Sequence, residues 1–105
     1  MGPEDRFKHS KVIPGLKEIP DCNHFIKEAG SIRGVADIIG NVNGHYFAWE
    51  IKKSFAEAQK TKGRIALQRY RLEQTIKNGG IGRFVYPENL EECLDELWAI
   101  SSYEY

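Results

Sequence analysis

Three charged residues carry the chemistry this sequence could perform: Asp37, Glu50 and Lys52. They stand in the order D-x12-E-x-K on two apolar runs, residues 35–39 and 46–51. Between the runs lies Asn41-Val42-Asn43-Gly44. Asn-Gly between β-prone runs is the strongest short-range signal for a hairpin with a type I′ turn. With Asn43 and Gly44 as a two-residue loop, Val42 faces His45 and Asp37 faces Glu50. Directly opposed residues have Cβ atoms about 4.5–5.5 Å apart. Lys52, two residues beyond Glu50, shares that face. Opposed carboxylates repel and weaken a sheet unless a cation sits between them. A divalent metal is the simplest such cation, and Mg²⁺ suits hard carboxylate oxygens.

The hairpin that positions these groups is apolar on both faces. Asp37, Ile39, Tyr46 and Ala48 share the metal face, and Ile38, Val42, Phe47, Trp49 and Ile51 share the other. Such a sheet needs a covering layer on each side, which predicts a central sheet between helices. Pro3 suits the first position of a helix, and Glu4 and Asp5 suit its first turn. That helix is expected from Pro3 to Ile13, with a further turn to Lys17 beyond the interruption of Pro14-Gly15. After a turn at Ile19-Pro20-Asp21, residues 22–29 read as a strand, with Phe25 and Lys27 alternating against His24 and Ile26. Cys22-x-His24 has no partner pair elsewhere, which argues against zinc.

Residues 54–63 read as a short helical piece or loop beside the site. Residues 64–78 read as a helix closed by Gly79 at its C-terminal cap. Ile65, Leu72 and Ile76 form its apolar stripe, with Gln68 on the border. Residues 81–86 predict a strand parallel to one hairpin strand, reached by a right-handed crossover. The last helix, residues 88–100, is capped by Asn89 and carries the stripe Leu90, Cys93, Leu94, Leu97 and Trp98.

A chain of 105 residues with 41% hydrophobic and 29% charged residues fits one ordinary globular domain, 1–105. No apolar run is long enough to span a membrane, and the polar start does not resemble a signal peptide. Two distant cysteines predict free thiols in a reducing compartment. Net charge is zero, but its distribution is uneven. Residues 50–77 hold eight Lys or Arg and three acids, whereas residues 87–105 hold six acids and no base. One face is therefore expected to attract phosphate. Arg33, Lys53, Lys60, Lys62, Arg64 and Arg69 are the candidate phosphate contacts.

Asp37 with Glu50-Ile51-Lys52 resembles the core motif of the PD-(D/E)XK nuclease superfamily. More narrowly, the chain resembles the VRR-NUC group of small phage and bacterial nucleases, which includes a Fanconi-associated nuclease domain. Gly34-Val35-Ala36-Asp37-Ile38-Ile39-Gly40 is similar to that group's G-x-P-D-hydrophobic-hydrophobic-G, with Ala36 in place of the usual Pro. Gln68 lies on the helix after the hairpin, where the group carries Gln. Pro3-Glu4 opens the first helix, where related Holliday junction resolvases carry an acidic ligand. Gly79-Gly80 before an apolar strand, then Pro87-Glu88-Asn89, extends the likeness over nearly the whole chain.

This resemblance implies a restriction-endonuclease-like α/β fold, a three-layer core with a small mixed central β-sheet flanked by helices. It implies a Mg²⁺-dependent deoxyribonuclease, with Mn²⁺ as a substitute, acting on DNA that includes branched forms such as four-way junctions. Asp37, Glu50, Lys52 and Gln68 would be catalytic. Asp37, Glu50, the Ile51 carbonyl and Glu4 would ligate metal, with Lys52 orienting the attacking water or stabilising the phosphate. Relatives of this size act as homodimers, which an aromatic C-terminus with Trp98, Tyr103 and Tyr105 would serve. The implied setting is the cytoplasm of a bacterium or a phage-infected host. The competing expectation is an inactive DNA-binding or scaffold protein that keeps the nuclease shape.

Overall fold

The computed structural model describes residues 2–26 and 36–101. A four-stranded mixed sheet forms the centre, with strands β1 (Cys22–Ile26), β2 (Ile38–Val42), β3 (His45–Ile51) and β4 (Ile81–Val85) in that spatial order. β1 and β2 pair antiparallel, as do β2 and β3, and β4 lies parallel to β3. The hairpin turn has the expected chemistry. Asn43 has φ 47° and Gly44 has φ 85°, both left-handed as a type I′ turn requires. Val42 pairs with His45 and Ile38 with Trp49, the register that the loop length imposes.

The two faces divide as the alternation predicts. Ile38, Val42, Phe47, Trp49 and Ile51 pack with Phe7, Val12, Ile13 and Leu16 from the N-terminal helix and with Cys93 and Leu97 from the last one. On the opposite face Ala36 and Ala48 pack with Leu72, and Ile39 and Phe84 join them. Helices therefore cover both sides of the sheet, giving an α/β architecture with a layer on each face. Among the described residues no helix is long and apolar enough to cross a membrane.

Helix α1 (Pro3–Phe7) does not stop at Pro14-Gly15. It continues through a π-turn (Lys8–Val12) into α2 (Ile13–Lys17), and the Ile13 N–H bonds the Lys8 carbonyl five residues back. Proline in an α-helix clashes with the carbonyl four residues earlier. A widened turn just before Pro14 moves that carbonyl aside, so the helix carries its apolar face past the proline.

α3 (Phe55–Ala58) is the expected short helical piece, capped by the Ser54 hydroxyl accepting from the Glu57 N–H at 3.1 Å. α4 (Arg64–Lys77) ends at Gly79 with φ 93°. Its stripe departs from expectation. Ile65 and Leu72 are buried with Gln68, but Ile76 is 47% exposed. The helix packs tightly on the sheet at Gly82, where an added Cβ would meet the Leu72 carbonyl oxygen at 2.7 Å. One turn further along, Ile76 faces out.

A 3₁₀ turn (Pro87–Asn89) leads into α5 (Leu90–Ser101). Cys93 and Leu97 of its stripe are buried and Trp98 stays exposed. Asn89 caps the 3₁₀ turn that opens this helix, as the third residue of a capping box, and its side chain ties the turn back to β4. Its Oδ1 accepts from the Tyr86 N–H at 2.8 Å and its Nδ2 donates to the Phe84 carbonyl at 2.9 Å.

The outer edge of β4 is thereby closed by side chains. The Lys52 N–H donates to the Val85 carbonyl, so the Gly82 and Phe84 carbonyls point away from β3. Arg83 Nη1 donates to the Gly82 carbonyl at 2.8 Å while the same guanidinium grips Glu96 at 3.1 and 2.6 Å. β1 is the opposite edge, with Phe25 63% exposed. Residues 27–29 of the expected strand lie outside the described residues.

Candidate active site

Glu50 and Lys52 leave the end of β3, the best-buried strand of the sheet. Glu50 is 5% exposed and Lys52 9%. Asp37 immediately precedes β2, beyond the last ladder pair. Its Oδ2 accepts the Ile51 N–H at 2.9 Å, which locks the carboxylate against the strand that carries Glu50. The expected convergence of Asp37, Glu50 and Lys52 is present: all three line one cleft of about 340 Å³.

The same cleft is lined by Glu4, Gln68, Lys60, Lys62 and Arg64. Glu4 thus overhangs the hairpin from the first turn of α1, placed there by Pro3. Burial pushes the Glu4 carboxyl up, the Lys52 ammonium draws it down, and the Asp37 charge pushes it up again. These opposing influences place Glu4, Lys52 and Asp37 within one another's field. Away from bulk water such fields act at a lower effective dielectric and gain strength.

Gln68 is 9% exposed on the inner side of α4, and its Oε1 is buried without a hydrogen-bond partner. A buried acceptor without a partner costs about 1–3 kcal/mol. A buried, unpaired acceptor on a residue that lines the cleft is suited to a group that brings a proton to donate.

Asp37 and Glu50 bring two carboxylates to one cleft, and their hard oxygens suit Mg²⁺, which keeps several waters and takes one or two carboxylates. Among the described residues no group of three His, Cys, Asp or Glu side chains is placed to hold an ion. Glu4 lines the cleft without completing a three-carboxylate set.

The basic candidates separate into two kinds. Lys60, Lys62 and Arg64 stand at the cleft, with Lys60 also bridging Glu57 at 3.1 Å. Lys53 is exposed, and its field, after those of Lys60, lowers the Glu57 carboxyl. Arg69, another expected phosphate contact, is engaged within the chain. Its guanidinium donates to the Lys60 carbonyl at 2.8 Å and to the Ala58 carbonyl and lies 5.0 Å over the Phe84 ring. Arg69 ties the segment carrying Lys60 and Lys62 to α4. Arg33 falls outside the described residues. Lys52 and Gln68 are more buried than their types suggest, a consequence of the strand end and helix face that carry them.

Both cysteines are free thiols. Burial pushes Cys93 up to about 12 and raises Cys22 as well, which disfavours the thiolate form of both. The chain matches no protein-family model, no curated protein and no solved structure.

Proposed function

We propose that the chain is a metal-dependent DNA endonuclease of the PD-(D/E)XK type with a restriction-endonuclease-like core, acting on branched DNA such as four-way junctions as a homodimer. One observation carries this reading: Asp37, Glu50 and Lys52 meet in a single cleft whose rim holds Lys60, Lys62 and Arg64. Acids at the centre with bases around them suit a phosphodiester held over a cation.

In this reading Asp37 and Glu50, with the Ile51 carbonyl, hold Mg²⁺. Bound there, Mg²⁺ supplies an activated water and offsets charge on the phosphate. The chain's own groups do the rest. Lys52 presents its ammonium to the phosphate oxygens, where a fixed positive charge stabilises the charge that develops on reaction. Gln68 Oε1 accepts a hydrogen bond from a water and so orients it. The Ile51 N–H keeps the Asp37 carboxylate from rotating out of the cleft. Lys60, Lys62 and Arg64 contact flanking phosphates. Glu4 either adds a ligand or tunes Lys52 by its charge.

A cleavage panel of duplex, flap, nicked and four-way DNA with Mg²⁺ or Mn²⁺ tests the reading. Glu50→Gln keeps the side-chain size and removes the charge, so turnover is expected to fall to background while the melting transition survives. Full activity in purified Glu50→Gln would overturn the assignment to this site.

A further inference from the structure

A larger groove of about 680 Å³ adjoins the cleft, and Glu50 and Gln68 line both. The groove's floor is the sheet face carrying Ile39, Ala48 and Tyr46, and its wall is one flank of α4. At 3.6 residues per turn, Arg64, Gln68, Arg71 and Thr75 fall along that flank. Arg64 stands at the cleft and Arg71 at the groove. The two arginines stand seven positions apart, a rise of about 10.5 Å. Among the described residues Glu50, shared with the cleft, is the only acid lining the groove.

Tyr46 lies on the groove floor and is 47% exposed. Its ring is backed by Gly80, where an added Cβ would meet Tyr46 Cδ2 at 3.1 Å. A large ring held against the backbone, half open to solvent, beside a cationic flank, has the composition of a stacking platform for unpaired bases. A duplex keeps its base faces stacked inside and offers this ring nothing to stack on.

We propose that this groove is the path of an unpaired strand of the nucleic-acid substrate. The strand runs along the arginine flank of α4, stacks a base on Tyr46 and leads to the cleft at Glu50. The proposal rests on the nuclease reading of that cleft, and among branched DNAs it favours those with a single-stranded arm beside the scissile phosphate over the fully paired four-way junction.

The test is binding of labelled oligo-deoxythymidine to the full chain in metal-free buffer, followed by anisotropy across a salt series. Melting curves verify that each variant is folded. Tyr46→Ala is expected to weaken binding about tenfold, the size of one lost base–aromatic stack, while Tyr46→Phe binds as wild type. Arg71→Gln is expected to flatten the plot of log affinity against log salt by about 0.7, one single-strand phosphate contact. Equal binding by wild type and Tyr46→Ala, no binding by wild type, or an unchanged slope in Arg71→Gln overturns the proposal, whatever is cleaved. Binding through Tyr46 and Arg71 without Mg²⁺-dependent cleavage of any DNA supports the groove and overturns the nuclease reading instead.

Discussion

The Ile51 N–H donates to Asp37 Oδ2 at 2.9 Å, so an acid of the candidate site also serves as the last rung of the hairpin. Regular pairing of β2 with β3 stops at Ile38 and Trp49. Beyond it, a side chain rather than a backbone carbonyl satisfies the strand's amide. Stability and, in the proposed reading, metal affinity are therefore tied to one carboxylate, and two substitutions separate them.

Asp37→Asn keeps an oxygen acceptor for the Ile51 amide and removes the charge. It is expected to melt near wild type without metal but to lose the stabilisation that Mg²⁺ gives, about 2.7 kcal/mol at 100 times the dissociation constant. Asp37→Ala leaves the amide unpaired and is expected to cost about 1–3 kcal/mol with or without metal. Thermal melts of both variants across a Mg²⁺ titration distinguish the two effects. Equal behaviour of Asn and Ala would show that the hydrogen bond contributes nothing.

Glu4 gives a pH-dependent signature. Its carboxyl is raised above the ordinary 4.5, chiefly by burial, so the folded protein holds that proton more tightly than the unfolded chain. The sign follows from linkage: this contribution is fully present below 4.5 and is lost as pH rises through the raised value. Metal-free melts from below that window to neutrality are expected to show the decline in wild type and less of it in Glu4→Gln. If Glu4 also ligates Mg²⁺, Glu4→Gln raises the Mg²⁺ concentration needed for half-maximal cleavage. If it acts only through charge, that concentration stays put.

Arg69 and its basic neighbours should behave differently. Arg69→Ala removes bonds to two carbonyls and the contact with Phe84, so it is expected to lower the melting temperature and loosen residues 58–62 to proteolysis. Lys62→Gln and Arg64→Gln stand at the cleft and are expected to leave melting unchanged. Each should flatten the salt dependence of duplex binding by about 0.9. The reverse pattern would return Arg69 to the phosphate contacts.

Gly40 closes the motif that follows Asp37, and packing requires it to be glycine. A Cβ there would lie 2.1 Å from the Asn23 carbonyl oxygen and 2.9 Å from the Phe47 ring. Backbone cannot yield as a flexible side chain does, so Gly40→Ala is expected to cost about 3 kcal/mol or more. Denaturant midpoints of wild type and variant measure it, and a loss under 1 kcal/mol would mean that β1 shifts freely.

The hairpin was legible because its determinants are local. Asn43-Gly44 dictates the turn, the turn dictates the register, and the register brings Asp37 beside the strand of Glu50. The division of the sheet into two apolar faces follows from the same alternation. What escaped the sequence depends on partners far along the chain. Nothing in the residues around Arg69 tells that its guanidinium would face the carbonyls of Ala58 and Lys60. The passage of the N-terminal helix through Pro14 depended on a widened turn that no residue type announces. Ile76 had helical spacing but lies past the point where Gly82 draws α4 to the sheet. Gln68 stood at the edge of a stripe, and only the fold put its oxygen inside.

The side-chain closure of β4 has a further consequence for self-association. A sheet grows by adding strands at exposed edges, and a chain with two open edges can template an endless stack. Here the Gly82 and Phe84 carbonyls are already taken by Arg83 and Asn89. A strand added at that edge would have to displace both side chains, which directs edge-to-edge pairing between copies to the β1 side and favours a doubled sheet over an endless stack.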